Sequence, residues 1–530
     1  MRTIFVVSSI VLVGGLAALS WFFPPAAWSF LLVGPLVIRG YQDLLQTRQA
    51  VRRNFPIIGN FRYLFELIRP EINQYFVESN TDGVPFNRDM RSLVYQRAKL
   101  DPDTVPFGTK LDVNAVGYEW VNHSLAPLHV DQKDLRVTVG SPQCSKPYSA
   151  SIFNISAMSY GSLSKNAVLA LNGGAKLGNF FHDTGEGGIS PYHLEKGGDI
   201  VWEIGTGYFS ARTLDGKFDP ERFKENASLP QVKMTELKLS QGAKPGHGGI
   251  LPARKVTAEI AKIRGVPMGQ DVLSPPAHTA FSTPIGMMEF LAKMRDLSGG
   301  KPVGFKLCVG KRREFLALCK AMQTTGITPD FINVDGGEGG TGAAPLEFSN
   351  SVGAPLRESL IFVHNALVGF GLRKHIRVVC AGRIVTGFDV VSRMAIGADI
   401  CNSARAMMMA LGCIQALRCN TNECPTGVAT QDPSLVVGLD VKHKEVRVAN
   451  YHRETLKTVA EMVGAMGLSH TSGLRPWHLM KRTGLAEIHH YGEIYEFIEE
   501  GSLLGKTVPA SFARPLEAAR PESFDSGARA

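Results

Sequence analysis

Between about Ser151 and Ala406 the sequence repeats one unit eight times: a short β-prone run, a Gly- or Ser-rich break, then a helical stretch. Few folds accommodate that rhythm. The runs are FNISAMSYG from Phe153, NFFHDTGEGG from Asn179, IVWEIGTG from Ile200 and MTELKLSQGAKPG from Met234. They continue with VGFKLCVG from Val303, FINVDGGEGGTG from Phe331, IRVVCAGRIVTG from Ile376 and ADICNSARA from Ala398. Helical patterns follow several of them, such as Arg312 to Gln323 and Gly387 to Ile396. Alternating β and α elements imply a parallel sheet, and eight of them imply closure into a (β/α)8 TIM barrel. A doubly wound sheet competes, but it wants a GxGxxG-like turn after its first strand, and the first run ends in AMSYGS. GGEGGTG near Gly336 falls at the sixth strand, with no acidic partner about twenty residues on.

In a barrel, chemistry sits at the C-terminal ends of the strands, where this sequence concentrates Gly, Ser, Glu, Gln and Lys. GRIVTG after the seventh run and NSARA after the eighth place small residues beside helix N-termini, a common phosphate site. Gly382, Arg383, Ser403 and Ala404 are the candidates, with Arg405 as a countercharge. Lys306 interrupts the apolar run VGFKL. Burying it unpaired is costly, so it is expected to face the mouth and meet an anion, such as the N1–C2=O edge of a reduced flavin.

Three of the eight cysteines, Cys413, Cys419 and Cys424, form C-x5-C-x4-C-P. Three thiolates this close suit an iron–sulfur cluster better than zinc, which usually takes four ligands in two pairs. They point to a 3Fe–4S cluster, or to a 4Fe–4S cluster completed from elsewhere, with Cys144 and Cys401 as spare candidates. No disulfide framework is implied in a chain this large, so a reducing compartment fits. The net charge of +9 is spread without a basic run or a nucleic-acid motif. Nucleic acid is therefore not an expected partner.

Thr3 to Phe23 carries no charge and would run about 30 Å as a helix, enough to cross a bilayer. Pro24 and Pro25 break it, and a second apolar stretch, Ala26 to Ile38, ends at Arg39. Arg2 before the first stretch and Arg39, Arg48, Arg52 and Arg53 after the second favour a membrane hairpin with both flanks in the cytoplasm. A cleaved signal peptide would also begin with Arg2 and an apolar run. However, the second stretch follows directly, with no clear small-residue cleavage site before it and no twin Arg. Ile58, Phe61, Leu64, Phe65, Ile68 and Ile72 then recur at helical spacing. The expected organisation is an anchor at 1–40, an amphipathic helical linker at 41–110, a barrel at 111–475 with its iron–sulfur segment at 413–424, and a partly disordered extension at 476–530. From Leu504 that extension is expected to be mobile, being rich in Pro, Ala, Arg and Ser.

Taken in order, AMSYGSLSKNA (Ala157 to Ala167), DTGEGG (Asp183 to Gly188), LSQGAKPGHGGILP (Leu239 to Pro252), SPPAH (Ser274 to His278), GGEGGTGAAP (Gly336 to Pro345) and NECPTGVATQDP (Asn422 to Pro433) resemble the FMN domain of glutamate synthase, from about residue 105 to 475. The resemblance implies reduction of 2-iminoglutarate, formed from 2-oxoglutarate and ammonia, with electrons entering through the iron–sulfur cluster. It implies that Met158, Ser159, Gln241, Lys306, Gly339, Gly340 and the Gly382 and Ser403 loops hold FMN. It places Glu186, Gln241, Lys244 and Lys306 at the substrate pocket, where a dicarboxylate wants cations such as Lys244. The sequence departs from the family at His247, where AKPGEGG is usual, within the GGEGGTG loop, and in the membrane hairpin. It shows no N-terminal Cys nucleophile or amidotransferase segment, so ammonia is expected to come from elsewhere. With no Rossmann fingerprint in the chain, a ferredoxin or a separate reductase is the expected electron donor. The alternative is a membrane-bound flavin and iron–sulfur electron-transfer subunit acting on a different substrate or partner.

Overall fold

The structure is a computed structural model that describes residues 1–525. The chain divides into two compact units, Met1–Asp89 and Met90–Ala530. In the first, the helices Arg2–Phe22 and Phe30–Leu45 are joined by a 3-10 turn at Pro24–Ser29, where the two prolines begin the turn. The two helices pack as a hairpin: Phe5 stacks edge-on against Tyr41, and Ser9 shares a 3.1 Å hydrogen bond with the Tyr41 hydroxyl. Gly40 is required there, because a Cβ would stand 2.0 Å from the Phe5 ring. The first helix is long and apolar enough to cross a membrane, and its outward side chains include Trp21 and Phe22, each 85% exposed. The expected amphipathic helix forms at Gly59–Ile72. It is tied to the hairpin by buried Asp43, which accepts from the Ile57 N–H (3.0 Å) and the Asn60 amide (2.5 Å).

The second unit is built on a closed barrel of eight parallel strands: β1 (Phe153–Ile155), β2 (His182–Asp183), β3 (Ile200–Ile204), β4 (Val232–Lys238), β5 (Val303–Leu307), β6 (Phe331–Asp335), β7 (Arg377–Ala381) and β8 (Ile400–Ser403). Each lies within one of the eight expected runs or begins within a few residues of it. β8 closes on β1 through the pairs Cys401↔Phe153 and Ser403↔Ile155. Helix starts follow local capping chemistry. Ser164 Oγ accepts from the Ala167 N–H, and Thr386 with Asp389 forms a capping box ahead of Gly387–Ala395. An antiparallel hairpin, Arg136–Val139 with Tyr148–Ser151, supplies Val139 and Ala150 to a buried cluster with Phe181, Val201, Met234, Phe331, Val379 and Ile400. These residues lie mostly at strand beginnings, so apolar packing fills the N-terminal end of the barrel and leaves polar groups for the other end.

Two long segments extend the barrel. Residues 239–283, between β4 and the helix Pro284–Leu297, form an insertion with a small hairpin (Ile250–Leu251 with Val272–Leu273) and the helix Ala258–Arg264. After β8, the cysteine segment leads to the helix Val441–Ala465. The C-terminal stretch differs from the mobile tail read from composition. Leu479–Arg482 and Ile488–His490 form a sheet with Glu119–Val121, and Ala510–Ala518 is a helix. Lys320 Nζ ties that helix down by donating to the carbonyls of Leu516 (2.7 Å) and Ala519 (3.1 Å), while Phe512 is buried against Phe362. The expectation for 526–530 lies outside the described residues.

Candidate active site at the barrel mouth

Charged residues sit on strands that are otherwise buried. In β4 and β6 the two-residue period of a strand puts Glu236 with Lys238, and Asn333 with Asp335, on a shared face. Lys306 Nζ on β5 donates to Glu203 Oε2 on β3, and both are almost fully buried, at 4% and 1% exposure. Burial alone would weaken the hold of Lys306 on its proton. The carboxyls of Glu203, Asp335, Glu236 and Asp183 outweigh it and keep the ammonium well above its ordinary range. Asp183, Glu203 and Glu236 bring carboxylate oxygens within 4.8 Å of one another, the spacing of a metal site. Here the Lys306 ammonium supplies their positive charge. Burial, then Glu203, raises Asp183 to about 7, and burial with Asp183 raises Glu236 well above the usual range. Asn333 fixes Glu236 through a 2.8 Å hydrogen bond.

Above this layer, Lys238 Nζ joins three groups. It donates to Gln241 Oε1 at 2.6 Å and to Glu186 Oε2 at 3.0 Å, and it lies 3.5 Å from Glu203 Oε1. Glu186 leaves the β2 loop in a space lined by glycines: a Cβ on Gly249 would stand 2.1 Å from its Oε1. Burial would raise its carboxyl, but Lys238 foremost, then Lys244 and Arg264, pull it down to about 2, so it is ionised. Lys244 is nearly inaccessible and donates to the Ala343 carbonyl at 2.9 Å; burial lowers it to about 8. Arg264 donates to the Tyr160 carbonyl at 3.0 Å and approaches Ser159 Oγ at 3.4 Å; burial lowers it to about 10. The β1 and β2 loops touch through backbone, since a Cβ on Gly185 would be 2.7 Å from Ser159 N and 2.9 Å from the Met158 carbonyl carbon. His278 braces β4 from behind. Its Nε2 donates to the Lys238 carbonyl at 2.8 Å, and Nδ1 accepts from the Tyr208 hydroxyl at 3.0 Å. Burial lowers the ring to about 4, so it is neutral with its tautomer set.

The other lip is made by the loops after β6, β7 and β8. A Cβ on Gly242 would lie 1.8 Å from the Gly336 carbonyl oxygen, so the β4 and β6 loops meet backbone to backbone. Asp335 Oδ2 accepts from the Gly242 N–H at 2.9 Å. A Cβ on Gly339 would stand 3.0 Å from the Gly336 oxygen, and one on Gly340 would stand 2.9 Å from Arg405. Arg405 donates to the Glu338 carbonyl at 2.6 Å, and burial lowers it to about 10. Gly382 (φ +151°) and Arg383 (φ +51°) turn the β7 loop, which Ser403 Oγ ties to β8 by donating to the Ile384 carbonyl at 2.6 Å. Ala404 stands at the N-cap position of the helix Arg405–Leu411, with no side-chain cap.

The structure therefore joins Met158, Ser159, Glu186, Gln241, Lys244 and Lys306 on one side, and Gly339, Gly340, Gly382, Arg383, Ser403 and Ala404 on the other, linked through Gly242 and Asp335. An FMN fits that chemistry. The buried Gln241 Nε2 has no hydrogen-bond partner within the protein, Lys306 supplies positive charge below it, and side-chain-free backbone lines the far lip. Lys238, Glu203, Glu236 and Arg264 are not among the sequence-derived candidates, and Asp183 and His278 enter there only as ends of resembling motifs. Glu203 in IVWEI carries the same signal as Lys306 in VGFKL: a charge in a buried run. His247 turns its Nδ1 to the Gly248 carbonyl (2.9 Å) and its ring edge-on to Phe348.

Cys413, Cys419 and Cys424 lie in a separate loop after Arg405–Leu411, all as free thiols close enough to act on one another. Burial would raise the Cys424 thiol. The Thr426 hydroxyl and the N–H groups of Ala429, Thr426 and Val428 reverse that and hold it below the usual range, the environment of a thiolate ligand. The three sulfurs are not among the groups drawn within 4.8 Å that a single metal ion would use; an iron–sulfur core, with its ligands spread around a multi-atom cluster, suits this donor set. Tyr95 donates to the Cys413 carbonyl at 2.7 Å. Lys255, 2% exposed, donates to the carbonyls of Ala429 (2.8 Å) and Ser162 (3.0 Å), and burial lowers it to about 8.

Residues 118–469 match the conserved region in glutamate synthase. The chain is 37% identical to the glutamate synthase large subunit-like protein YerD of Bacillus subtilis, covering 83% of this chain and 91% of that protein. It is 34% identical to the archaeal glutamate synthase [NADPH] of Methanocaldococcus jannaschii, covering 61% of this chain and 60% of the relative. Against the glutamate synthase [NADPH] large chain of Bacillus subtilis it is 32% identical and spans 20% of that chain.

Proposed function

This chain belongs to the glutamate synthase family and is an oxidoreductase, and from that premise we propose that it binds FMN and an iron–sulfur cluster and reduces the imine of a 2-oxo acid, turning 2-oxoglutarate plus ammonia into glutamate. When bound, FMN supplies the hydride and the cluster supplies electrons one at a time. Lys244 and Arg264 hold the substrate carboxylates, because each is a buried cation placed near Glu186 with capacity for an anion. Glu186 is ionised, so it accepts a hydrogen bond from the protonated imine nitrogen and stabilises its positive charge. Lys238 holds Glu186 and Gln241 in place. Lys306, locked by Glu203, would offer positive charge to the anionic reduced flavin. The observation that carries this reading is the ionised Glu186 held by Lys238 at the mouth beside two cations. Ammonia and reducing equivalents come from separate sources, the electrons from a ferredoxin or a reductase.

We further propose that the hairpin anchors the protein in the inner or cell membrane with the barrel on the cytoplasmic side, supported by the exposed apolar helix Arg2–Phe22 and its flanking arginines. The protein should remain in the membrane pellet after high-salt and carbonate washes and be released by detergent. Release by salt alone would remove the anchor. For the chemistry, FMN, iron and sulfide are quantified in anaerobic, detergent-purified full-length protein, and the reduced enzyme is mixed with 2-oxoglutarate and ammonia. Rapid reoxidation with glutamate formed supports the synthase. Bound cofactors without reoxidation would transfer the weight to an electron-transfer subunit, and a folded protein without FMN would sink the proposal.

A further inference from the structure

Several buried cations in the second unit have carboxylates beside them, and Lys244 and Arg264, without one within 4.0 Å among the described residues, still feel the charge of Glu186. Lys306 has Glu203, Lys238 has Glu186, and Arg295 has Asp330 at 3.0 Å. Lys255 does not: among the described residues no carboxylate lies within 4.0 Å of it, and both of its hydrogen bonds go to backbone carbonyls. Burying an ammonium without a counter-anion is costly, so its place in a fold needs a source of negative charge. The ionisable groups near enough to Lys255 to balance it are the Cys419 and Cys424 sulfurs. Neighbouring residues hold the same junction. Arg254 approaches the Thr421 carbonyl at 3.3 Å, and the Asn422 amide reaches back to the Arg254 carbonyl at 3.5 Å. The 3-10 turn Ala253–Lys255 is thus seated on the cysteine loop, while the Lys255 ammonium also grips Ser162, four residues after Met158 in the β1 loop.

We propose that Lys255 is the counter-ion of the cysteine-held cluster, raising its reduction potential and fixing it against the flavin loop; this rests on the iron–sulfur reading above. An iron–sulfide core held by three thiolates is anionic and gains negative charge on reduction. A fixed positive charge in a dry setting therefore favours the reduced form. A cluster poised higher draws electrons in from a donor and holds them beside the β1 loop.

The test uses full-length protein in detergent, handled anaerobically, as wild type, Lys255→Gln and Lys255→Arg. FMN, iron and sulfide contents are measured, and the cluster is titrated by EPR-monitored potentiometry. In Lys255→Gln the ratio of reduced to oxidised cluster at a fixed potential should fall about tenfold, a negative shift of about 59 mV for one electron. Lys255→Arg should stay near wild type, and FMN content should not change in either variant. A fully loaded Lys255→Gln with the wild-type potential would overturn the proposal. If Lys255→Gln cannot hold iron while Lys255→Arg can, the counter-ion role stands, because charge separates the two. Equal loss of iron from both, with FMN retained, would overturn it in favour of shape alone. Wild-type protein without iron and sulfide would overturn the iron–sulfur reading itself, before any variant is compared.

Discussion

The barrel mouth and the cysteine loop balance their charges in opposite ways. At the mouth, Lys306 is surrounded by carboxyls from β2, β3, β4 and β6, and Lys238 bridges Glu203 and Glu186, so the protein compensates its own cations. Beside the cysteine loop, Lys255 hydrogen-bonds among the described residues to carbonyls and has the Cys419 and Cys424 sulfurs as its electrostatic neighbours. A region that is self-balanced is rigid before any ligand arrives, whereas one left unbalanced takes its final charge from what binds there. Lys244 is an intermediate case at the mouth's edge: its hydrogen bond goes to the Ala343 carbonyl, and a substrate carboxylate would complete it.

The sharpest way to break this contrast is Glu186→Gln. With the pocket cations intact but the anion lost, kcat/KM for 2-oxoglutarate plus ammonia should fall by about 10²–10³-fold, with FMN content unchanged; a loss under tenfold would remove Glu186 from the chemistry. Next comes Lys306→Met, which leaves Glu203 only the longer contact to Lys238 and should cost about 3 kcal/mol in denaturant unfolding. Adding Glu203→Leu should recover most of that stability without recovering activity. If the single variant unfolds like wild type, the mouth is not self-balanced. A third test uses pH. Lys244, lowered to about 8 by burial, loses its proton as pH rises through that value, so KM should climb above about pH 8. Lys244→Arg should move the rise to higher pH. For stability the sign is opposite: the native Lys244 binds its proton more weakly than the unfolded chain does. Its cost is full below about 8 and fades as pH rises toward 10.5. The smallest effect belongs to the cysteine side. Tyr95→Phe removes one hydrogen bond to the Cys413 carbonyl and should lower stability by about 1 kcal/mol, read from the thermal midpoint.

The barrel was legible because each strand is a short buried run closed by glycine or serine, a pattern that survives without knowledge of neighbours. Helix limits were close for the same reason: Gly387–Ala395 begins after the Thr386 capping box that its sequence displays. Lys306 was readable as a lone charge in VGFKL. Its partner Glu203 was equally visible in IVWEI, and Glu236 and Lys238 show the two-residue period of a shared face. Arg264 and Lys255 were not legible. They lie in an insertion whose docking on the β1 loop and the cysteine segment is set by tertiary contact, and no local pattern encodes where its cations point. The C-terminal helix Ala510–Ala518 departs from what composition implies, because composition speaks to average solvation. Lys320 and the Phe362 ring, far away in sequence, give that helix its seat.

The insertion between β4 and β5 also bears on timing. Lys255 binds carbonyls 93 residues before it and 174 after it, and Arg264 binds one 104 residues before it. Such spans raise the contact order of the fold, and their loop entropy is lost before the contacts repay it. One piece of chain thus fastens the β1 loop and the cysteine segment together. Were FMN and a cluster bound as proposed, that one piece of chain would cover both.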